Sequence, residues 1–411
     1  MVPMATPFRR RGMRAVVIAV VLVLMAACGG SDSSGQPSES DGPMPTGTPF
    51  KIGYICFCAG LGGAGPDNST KPFMAWAKWT NAHGGLNGHP VEVVLRRDPG
   101  NPGVALQQVK ALVAEGIVAL VSNDSSNDEA WADYIQTTGI PVYNTVIGSP
   151  KLAFSPNSFS TTTSLVHNPI AIAIAAKRVG ATKLAVFYCA EVAACKQLVP
   201  VLKKAVESVG LTNPVSASVL STAPNYTAQC LAAKEAGADS LFIGGDAGTA
   251  LRLVASCAQQ GYKPHLVSAG QTYSKKFEGA PGTDGMIAFE PNVPFYETSF
   301  KGIKTMTDAL DRYAKGVTSA PGYNDTAVVQ WTTGLLISEA AVAGKVGLTK
   351  NPTAADMMEA MYTLGATDLG GMTPVLKFVK EQPHLNKCWF YAGIKNNKFA
   401  TPYGLTAECA P

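Results

Sequence analysis

The sequence predicts an α/β protein of two doubly wound, Rossmann-like lobes, and three observations carry that prediction. Short β-branched runs alternate with amphipathic runs four times between Phe50 and Val146, the pattern of a parallel sheet with helices on both faces. The same alternation restarts near Asn168 and continues to about Pro291. The body from Phe50 to Pro411 exceeds the roughly 250 to 300 residues at which one hydrophobic core stops growing.

Each element follows from its local pattern. "KIGYIC" (51–56) is a strand, and "KPFMAWAKWTNAHGG" (71–85) places Phe73, Trp76, Ala77 and Thr80 at helical spacing, with Gly84 or Gly85 as the stop. Asn87-Gly88 turns the chain into a strand over 91–95. A helix over 102–116 opens on Pro102. A buried strand (117–122), a helix (128–139) and a strand (140–146) complete the first series. The second series reads as helices over 168–180, 196–210, 227–237 and 248–261, interleaved with strands over 183–188, 214–220, 240–245, 265–270 and 285–291. A helix-rich section follows from about 296 to 364. The closing runs "PVLKFV" (374–379) and "KCWFYAGIK" (387–395) must complete the earlier lobes, because neither forms a domain alone.

The N-terminus predicts export. Four arginines precede the thirteen-residue apolar run Ala15–Ala27, too short for the roughly 20 residues of a bilayer-spanning helix and suited to a secretory signal. Ala26, Ala27 and Cys28 resemble a bacterial lipobox, with Met25 where leucine is more usual. That resemblance makes 1–27 a lipoprotein signal peptide and Cys28 the lipidated first residue; the alternative is an ordinary signal with a chance cysteine. Residues 28–49 are Gly-, Ser- and Pro-rich and form a flexible tether with a reach of roughly 25 Å. Once the signal is removed, Lys+Arg falls from 33 to 29 and equals the 29 Asp+Glu, so nothing argues for nucleic acid as a partner.

"CAGLGGAG" (58–65) carries the spacing Gly60-x-Gly62-x-x-Gly65 of a dinucleotide-binding loop. Two observations oppose that reading: an exported protein meets no pool of free NAD, and no acid stands about 20 residues past the strand to hold a ribose. No G-x-S-x-G, H-E-x-x-H or G-x-x-x-x-G-K-[ST] motif occurs, and the five histidines are scattered. Neither an enzyme, a metal site nor a cofactor is expected.

"NAHGGLNGHPVEVVLRRD" (81–98) resembles the helix-to-strand passage of type I periplasmic binding proteins, in their leucine/isoleucine/valine and amide-binding branch. The order of elements is similar over about 350 residues. The resemblance implies two lobes joined by a three-crossing hinge, with ligand in the cleft between them: lobe I at 50–160 plus 292–370, and lobe II at 161–291 plus 371–411. "CAGLGGAG" then becomes a loop at the rim of lobe I, with Leu61 a candidate ligand contact, or a turn that touches no ligand. Aligned on "TGI" (138–140), the family's ligand serine falls on Ser125, with Ser126 and Asn127 as neighbours that serve either ligand or helix cap.

The next ligand-holding turn falls on Val146, Ile147 and Gly148, where the amino-acid binders carry a hydroxyl at the last position. In lobe II the ligand-facing position falls on Asp246. The acid those binders use for an ammonium falls on Gly270 or Gln271, which are uncharged. Tyr188, Ala193, Gln271, Tyr273 and Tyr323 are further candidate liners, with surface or packing roles as the alternative. Burying an ammonium without a carboxylate is costly. The expected solutes are therefore branched-chain amino acids, with Asp246 as the acid, or amides, ureas and aromatic acids.

The same layout sorts the cysteines. Cys28 aside, Cys56 and Cys58 fall in lobe I and the other six in lobe II. Within lobe II the expected pairs are Cys189–Cys195 as a local loop, Cys230–Cys257 between neighbouring helices and Cys388–Cys409 tying the C-terminus, with Cys56 and Cys58 either joined or free thiols. The function implied is that of a monomeric solute-binding lipoprotein on the outer face of the cytoplasmic membrane, delivering to an ABC permease. A ligand sensor of the same fold and a secreted enzyme are the rivals.

Overall fold

A computed structural model describes residues 42–58, 70–191 and 193–411. The signal peptide, Cys28 and Leu61 lie outside the described residues.

Two sheets organise the chain. The first is wholly parallel, in the order β2-β1-β3-β4-β5: β1 (Phe50–Cys56), β2 (Val91–Arg97), β3 (Ala119–Asn123), β4 (Val142–Asn144) and β5 (Ser158–Ser160). Its helices are α1 (Lys71–Ala82), α2 (Pro102–Ala114), α3 (Asp128–Gln136) and the short α4 (Pro150–Ala153). Phe73, Trp76, Ala77 and Thr80 form the buried face of α1, as their spacing predicts. Gly84 (φ 92°) follows the helix end. Asn87 (φ 51°) and Gly88 (φ 85°) form the turn into β2, a left-handed pair that Asn-Gly tolerates well.

The second sheet runs β14-β13-β10-β9-β8-β6-β7. Its parallel part is β6 (Leu184–Cys189), β7 (Ser216–Val219), β8 (Ser240–Gly244), β9 (His265–Ala269) and β10 (Ile287–Glu290). The helices α5 (Asn168–Arg178), α6 (Ala193–Ser208), α7 (Thr227–Glu235) and α8 (Ala247–Gln259) alternate with these strands. The second sheet thus repeats the winding of the first, since β7-β6-β8-β9-β10 has the same order as β2-β1-β3-β4-β5.

The helix-rich section resolves into α9 (Lys301–Tyr313), α10 (Thr326–Ala343) and α11 (Ala354–Thr363). α9 and α10 pack on α1. α10 is apolar around most of its circumference, as a helix sandwiched in a core must be. Its Gly334 has no room for a side chain, because the Trp76 ring fills that space. Asn87 ties the same layer together, donating to the carbonyls of Ala341 (2.9 Å) and Val346 (2.8 Å).

One expectation needs adjusting. The resemblance implies that the segment from 371 onward belongs to lobe II, whereas its first part packs against the β5 region of lobe I. β12 (Leu376–Lys377) pairs with β11 (Ala366–Thr367), and Phe378 and His384 pack on the ring of Phe159. The chain enters the second sheet only at β13 (Cys388–Lys395), which runs antiparallel beside β10 and is followed by β14 (Lys398–Ala400) and β15 (Glu408–Cys409). "PVLKFV" is too short and too close to Phe159 to act as a sheet strand of lobe II.

All four disulfides Cys56–Cys58, Cys189–Cys195, Cys230–Cys257 and Cys388–Cys409 are present. Among the described residues no helix is long and apolar enough to cross a membrane.

Candidate functional site

Ligands of open parallel sheets bind beyond the carboxyl ends of the strands. In lobe I that edge is built on three buried aspartates. Asp98, after β2, accepts the backbone N–H groups of Gly100 (2.9 Å) and Asn101 (3.1 Å) and the side-chain amide of Asn127. Asp124, after β3, accepts Asn127 N–H (3.3 Å) and the Trp131 indole (3.1 Å). Asp128 accepts the N–H groups of Gly148 (2.7 Å) and Ser149 (2.9 Å). The loops after β2, β3 and β4 are thereby bolted to one another. Burial pushes the Asp124 carboxyl up to about 7 against the pull of Trp131, and Asp98 beside it adds to the rise. Burial likewise raises Asp128 to about 6, with Ser149 and Gly148 holding it down.

This frame brings the lobe I candidates together. Ser125 is half-buried and Ser126 exposed, and no described residue bonds to either hydroxyl. Asn127 occupies the N-cap position of α3 but gives no side-chain cap; its amide goes to Asp98 instead. Val146, Ile147 and Gly148 are half-buried beside this loop. The glycine at 148 has a steric cause: any Cβ there would overlap the Ser125 carbonyl. Cys56 and Cys58 lie at the same edge, both buried, and Phe57 N–H donates to Asn123 O (3.1 Å).

In lobe II, Tyr188 stands half-buried near the end of β6, and Ala193 opens α6 beyond the Cys189–Cys195 bridge. Asp246 is the N-cap of α8. One carboxylate oxygen accepts Gly248 N–H (2.8 Å) and Thr249 N–H (3.1 Å), and the other accepts the Thr249 hydroxyl (2.5 Å). Gln271 is exposed and its carbonyl accepts the Asn324 side chain (2.8 Å). Tyr323 is buried, its ring 5.1 Å from Phe295, and its carbonyl accepts Lys275 N–H (3.0 Å). Gln271 and Tyr323 therefore meet at one seam between 270–275 and 323–325. Tyr273 has the packing role: its side chain is fully buried among Phe277, Phe295, Tyr296 and Phe399, and its hydroxyl donates to Gly393 O.

Two acids at this seam escaped the sequence reading. Glu290 ends β10 and Asp325 precedes α10; both are 0% exposed, and neither carboxyl has a hydrogen-bond partner among the described residues. Glu290 also accounts for Gly270. A Cβ at 270 would overlap the Glu290 carboxylate, so the space beside residue 270 is filled by a side chain of the neighbouring strand. Burial and the facing Asp325 raise Glu290 well above the carboxylate range, and burial raises Asp325 to about 7. An acid closing an otherwise apolar strand, "MIAFE", was the available signal.

The three crossings between the sheets are laced together. Asn386 donates to the carbonyls of Ser160 (2.7 Å) and Thr162 (2.9 Å), and Asn292 to that of Thr161 (3.4 Å). Ser164 N–H donates to Asn386 O (2.8 Å), and the Thr163 hydroxyl to Cys388 O (3.0 Å). Among the described residues, no group of three or more His, Cys, Asp or Glu side chains is placed to hold a metal ion.

Comparison with known proteins agrees with this architecture. A valine-bound branched-chain amino acid ABC transporter protein from Thermus thermophilus superposes with a TM-score of 0.74 at 16% identity, covering 89% of this chain and 98% of that one. A benzoate-bound solute-binding protein of R. palustris gives 0.70 at 16% identity, over 88% and 98%. A fatty acid ABC transporter substrate-binding protein from Thermomonospora curvata gives 0.66 at 17%, over 90% and 93%. At such identities the likeness is one of fold. No curated protein matches the sequence. The periplasmic binding protein family profile matches residues 49–398, nearly the whole described body. The chain belongs to the periplasmic binding proteins of type I, extracytoplasmic proteins that bind small solutes and work with ABC permeases.

Proposed function

We propose that this protein is the lipid-anchored solute receptor of an ABC importer, held on the outer face of the cytoplasmic membrane through Cys28, and that it captures a small carboxylate-bearing solute between its lobes. The observation that carries the reading is the lobe I edge. Ser125 and Ser126 keep unspent hydroxyls at the start of α3, while every acid around them is already committed to backbone or side-chain donors. Hydroxyls and helix N–H groups in that position suit an anion. The family neighbours named above hold or carry valine, benzoate and fatty acid, all of which bear a carboxylate. Asp246 is occupied in capping α8, so an α-amino group finds a weaker partner there than the sequence suggested. Among carboxylates, those without an ammonium are favoured.

A solute that binds only the native state stabilises it. At 100 times its dissociation constant the gain is about 2.7 kcal/mol. A thermal-shift screen of protein starting after Cys28, with aliphatic and aromatic carboxylates, branched-chain amino acids, amides and ureas, tests the reading. Stabilisation by carboxylates, lost in Ser125→Ala with Ser126→Ala, is the expected outcome. Stabilisation by amides or ureas alone would overturn the carboxylate assignment.

A further inference from the structure

We infer that His89 is a pH-sensitive latch: its charged ring fastens residues 42–49, the segment by which the chain enters the folded body, and its neutral ring lets them go. The latch stands apart from the receptor reading. His89 follows the Asn87-Gly88 turn and is half-buried between two glycines. A Cβ at Gly47 would come within 2.3 Å of the ring's Nδ1, and one at Gly347 within 2.9 Å of its Cδ2. The ring therefore lies between the entering segment and the loop that joins α10 to α11. The Phe50 ring stands edge-on to it, with centroids 5.9 Å apart.

Both ring nitrogens meet carbonyl oxygens. Nδ1 lies 2.7 Å from Thr48 O, and Nε2 lies 2.8 Å from Gly347 O. A carbonyl oxygen only accepts, so both contacts are hydrogen bonds only when both nitrogens carry protons, which is the imidazolium form. A neutral ring has one N–H and one lone pair, and that lone pair would face an oxygen. The Thr48 side is the one to yield, since its contact is exposed whereas the Gly347 contact is partly buried. The segment 42–49 is otherwise held by Gly42 N–H on Ala82 O (2.9 Å), Gly47 N–H on Gly88 O (3.3 Å) and the Thr48 hydroxyl on Asn351 (2.9 Å). It carries no charged side chain, forms no helix or strand, and its three prolines have no N–H to give.

The charged ring has no carboxylate partner among the described residues. Beyond Phe50, Lys51 reaches away to Glu115 O (3.2 Å). The α10–α11 loop brings Lys345, which is exposed, and Lys350, which is paired with Asp356 (2.9 Å). The end of α1 brings His83, bonded to Trp79 O (2.6 Å), and β2 brings Glu92, which is exposed. The two carbonyls stabilise the charge, helped by the negative C-terminal end of α10 at the head of that loop. Fastening the segment takes up a proton from solvent. It is therefore held at low pH and freed as pH rises through the ordinary histidine range, about 6.5. Once free, eight residues add up to about 28 Å to the reach between Cys28 and the body. That consequence alone rests on the anchor reading.

A spin label on Met44→Cys reads the latch in protein started after Cys28, where the other eight cysteines are paired. Met44 is 63% exposed, so the label stands in solvent. The electron paramagnetic resonance spectrum should show a slow-tumbling component at about pH 5.5 that is lost by about pH 8.5, on either side of the histidine range. With His89→Gln the label should tumble fast at both pH values. The same is expected with Gly47→Ala, which lies outside both sheets and drives a methyl group into the ring. A parent spectrum identical at the two pH values overturns the inference, as does a slow component that survives in either variant. The measurement uses no solute. A failed solute screen would count against the receptor reading alone, and an unresponsive label against the latch alone.

Discussion

Asp98, Asp124 and Asp128 in lobe I and the Glu290–Asp325 pair at the lobe junction are all buried, yet the chain treats them in opposite ways. Each lobe I aspartate is surrounded by N–H donors from loops that must be held: three for Asp98, two each for Asp124 and Asp128. Neither Glu290 nor Asp325 has a hydrogen-bond donor on its carboxyl among the described residues. Hydrogen-bond donors convert a buried carboxyl into a structural clamp, whereas a buried carboxyl without them bears its charge at a cost and favours its neutral form. The first arrangement fixes one geometry; the second makes stability depend on pH.

The comparison can be broken most severely at Gly148. Gly148→Val drives a side chain into the Ser125 carbonyl and should cost about 3 kcal/mol, read as a lower urea midpoint at unchanged slope. A neutral outcome would mean the 125 and 148 loops are not bolted together. Asp98→Ala leaves three donors without an acceptor and should cost roughly 2 to 3 kcal/mol in the same assay.

The next test separates the two kinds of acid by pH. A carboxyl raised in the folded state keeps its proton longer there than in the unfolded chain. Folding then takes up protons, and stability falls as pH climbs from the ordinary carboxylate range, about 4, through about 7. Asp124 and the junction pair both contribute that sign. Glu290→Gln should remove only that residue's share, making the fall shallower. Superimposable stability–pH curves for parent and variant would refute it. The smallest effect belongs to Asp246→Asn. Asparagine caps helices about as well as aspartate, so stability should change by less than about 0.5 kcal/mol. Affinity for an anionic solute from the screen should stay within about twofold of the parent; a large loss would return Asp246 to the binding surface.

The parts legible in sequence were the local ones. The helix face of Phe73, Trp76, Ala77 and Thr80, the Asn87-Gly88 turn and the strand runs each declare themselves within a few residues. Three cysteine pairs are expected once the lobes are laid out, and the structure adds Cys56–Cys58, which the sequence leaves open between a bridge and free thiols. Asp246 could have been recognised as a cap from "DAGT" ahead of an apolar helix. The burial of Glu290 and Asp325 at one seam was out of reach, because a lobe crossing separates the two acids in the chain and only the topology takes both into the interior. For the same reason the resting place of 371–386 is not legible in sequence: its short β-branched run says strand, and only Phe159, reached across the fold, says where Phe378 and His384 pack.

Asn292 and Asn386 each grip carbonyls of the first crossing, so the three connecting strands are spliced to one another near a single point. Three independent straps would allow the halves to slide, shear and twist; straps knotted at one place leave mainly rotation about the knot. Whatever lands on either half is therefore offered the same arc of travel, and the amides of two asparagines set its pivot.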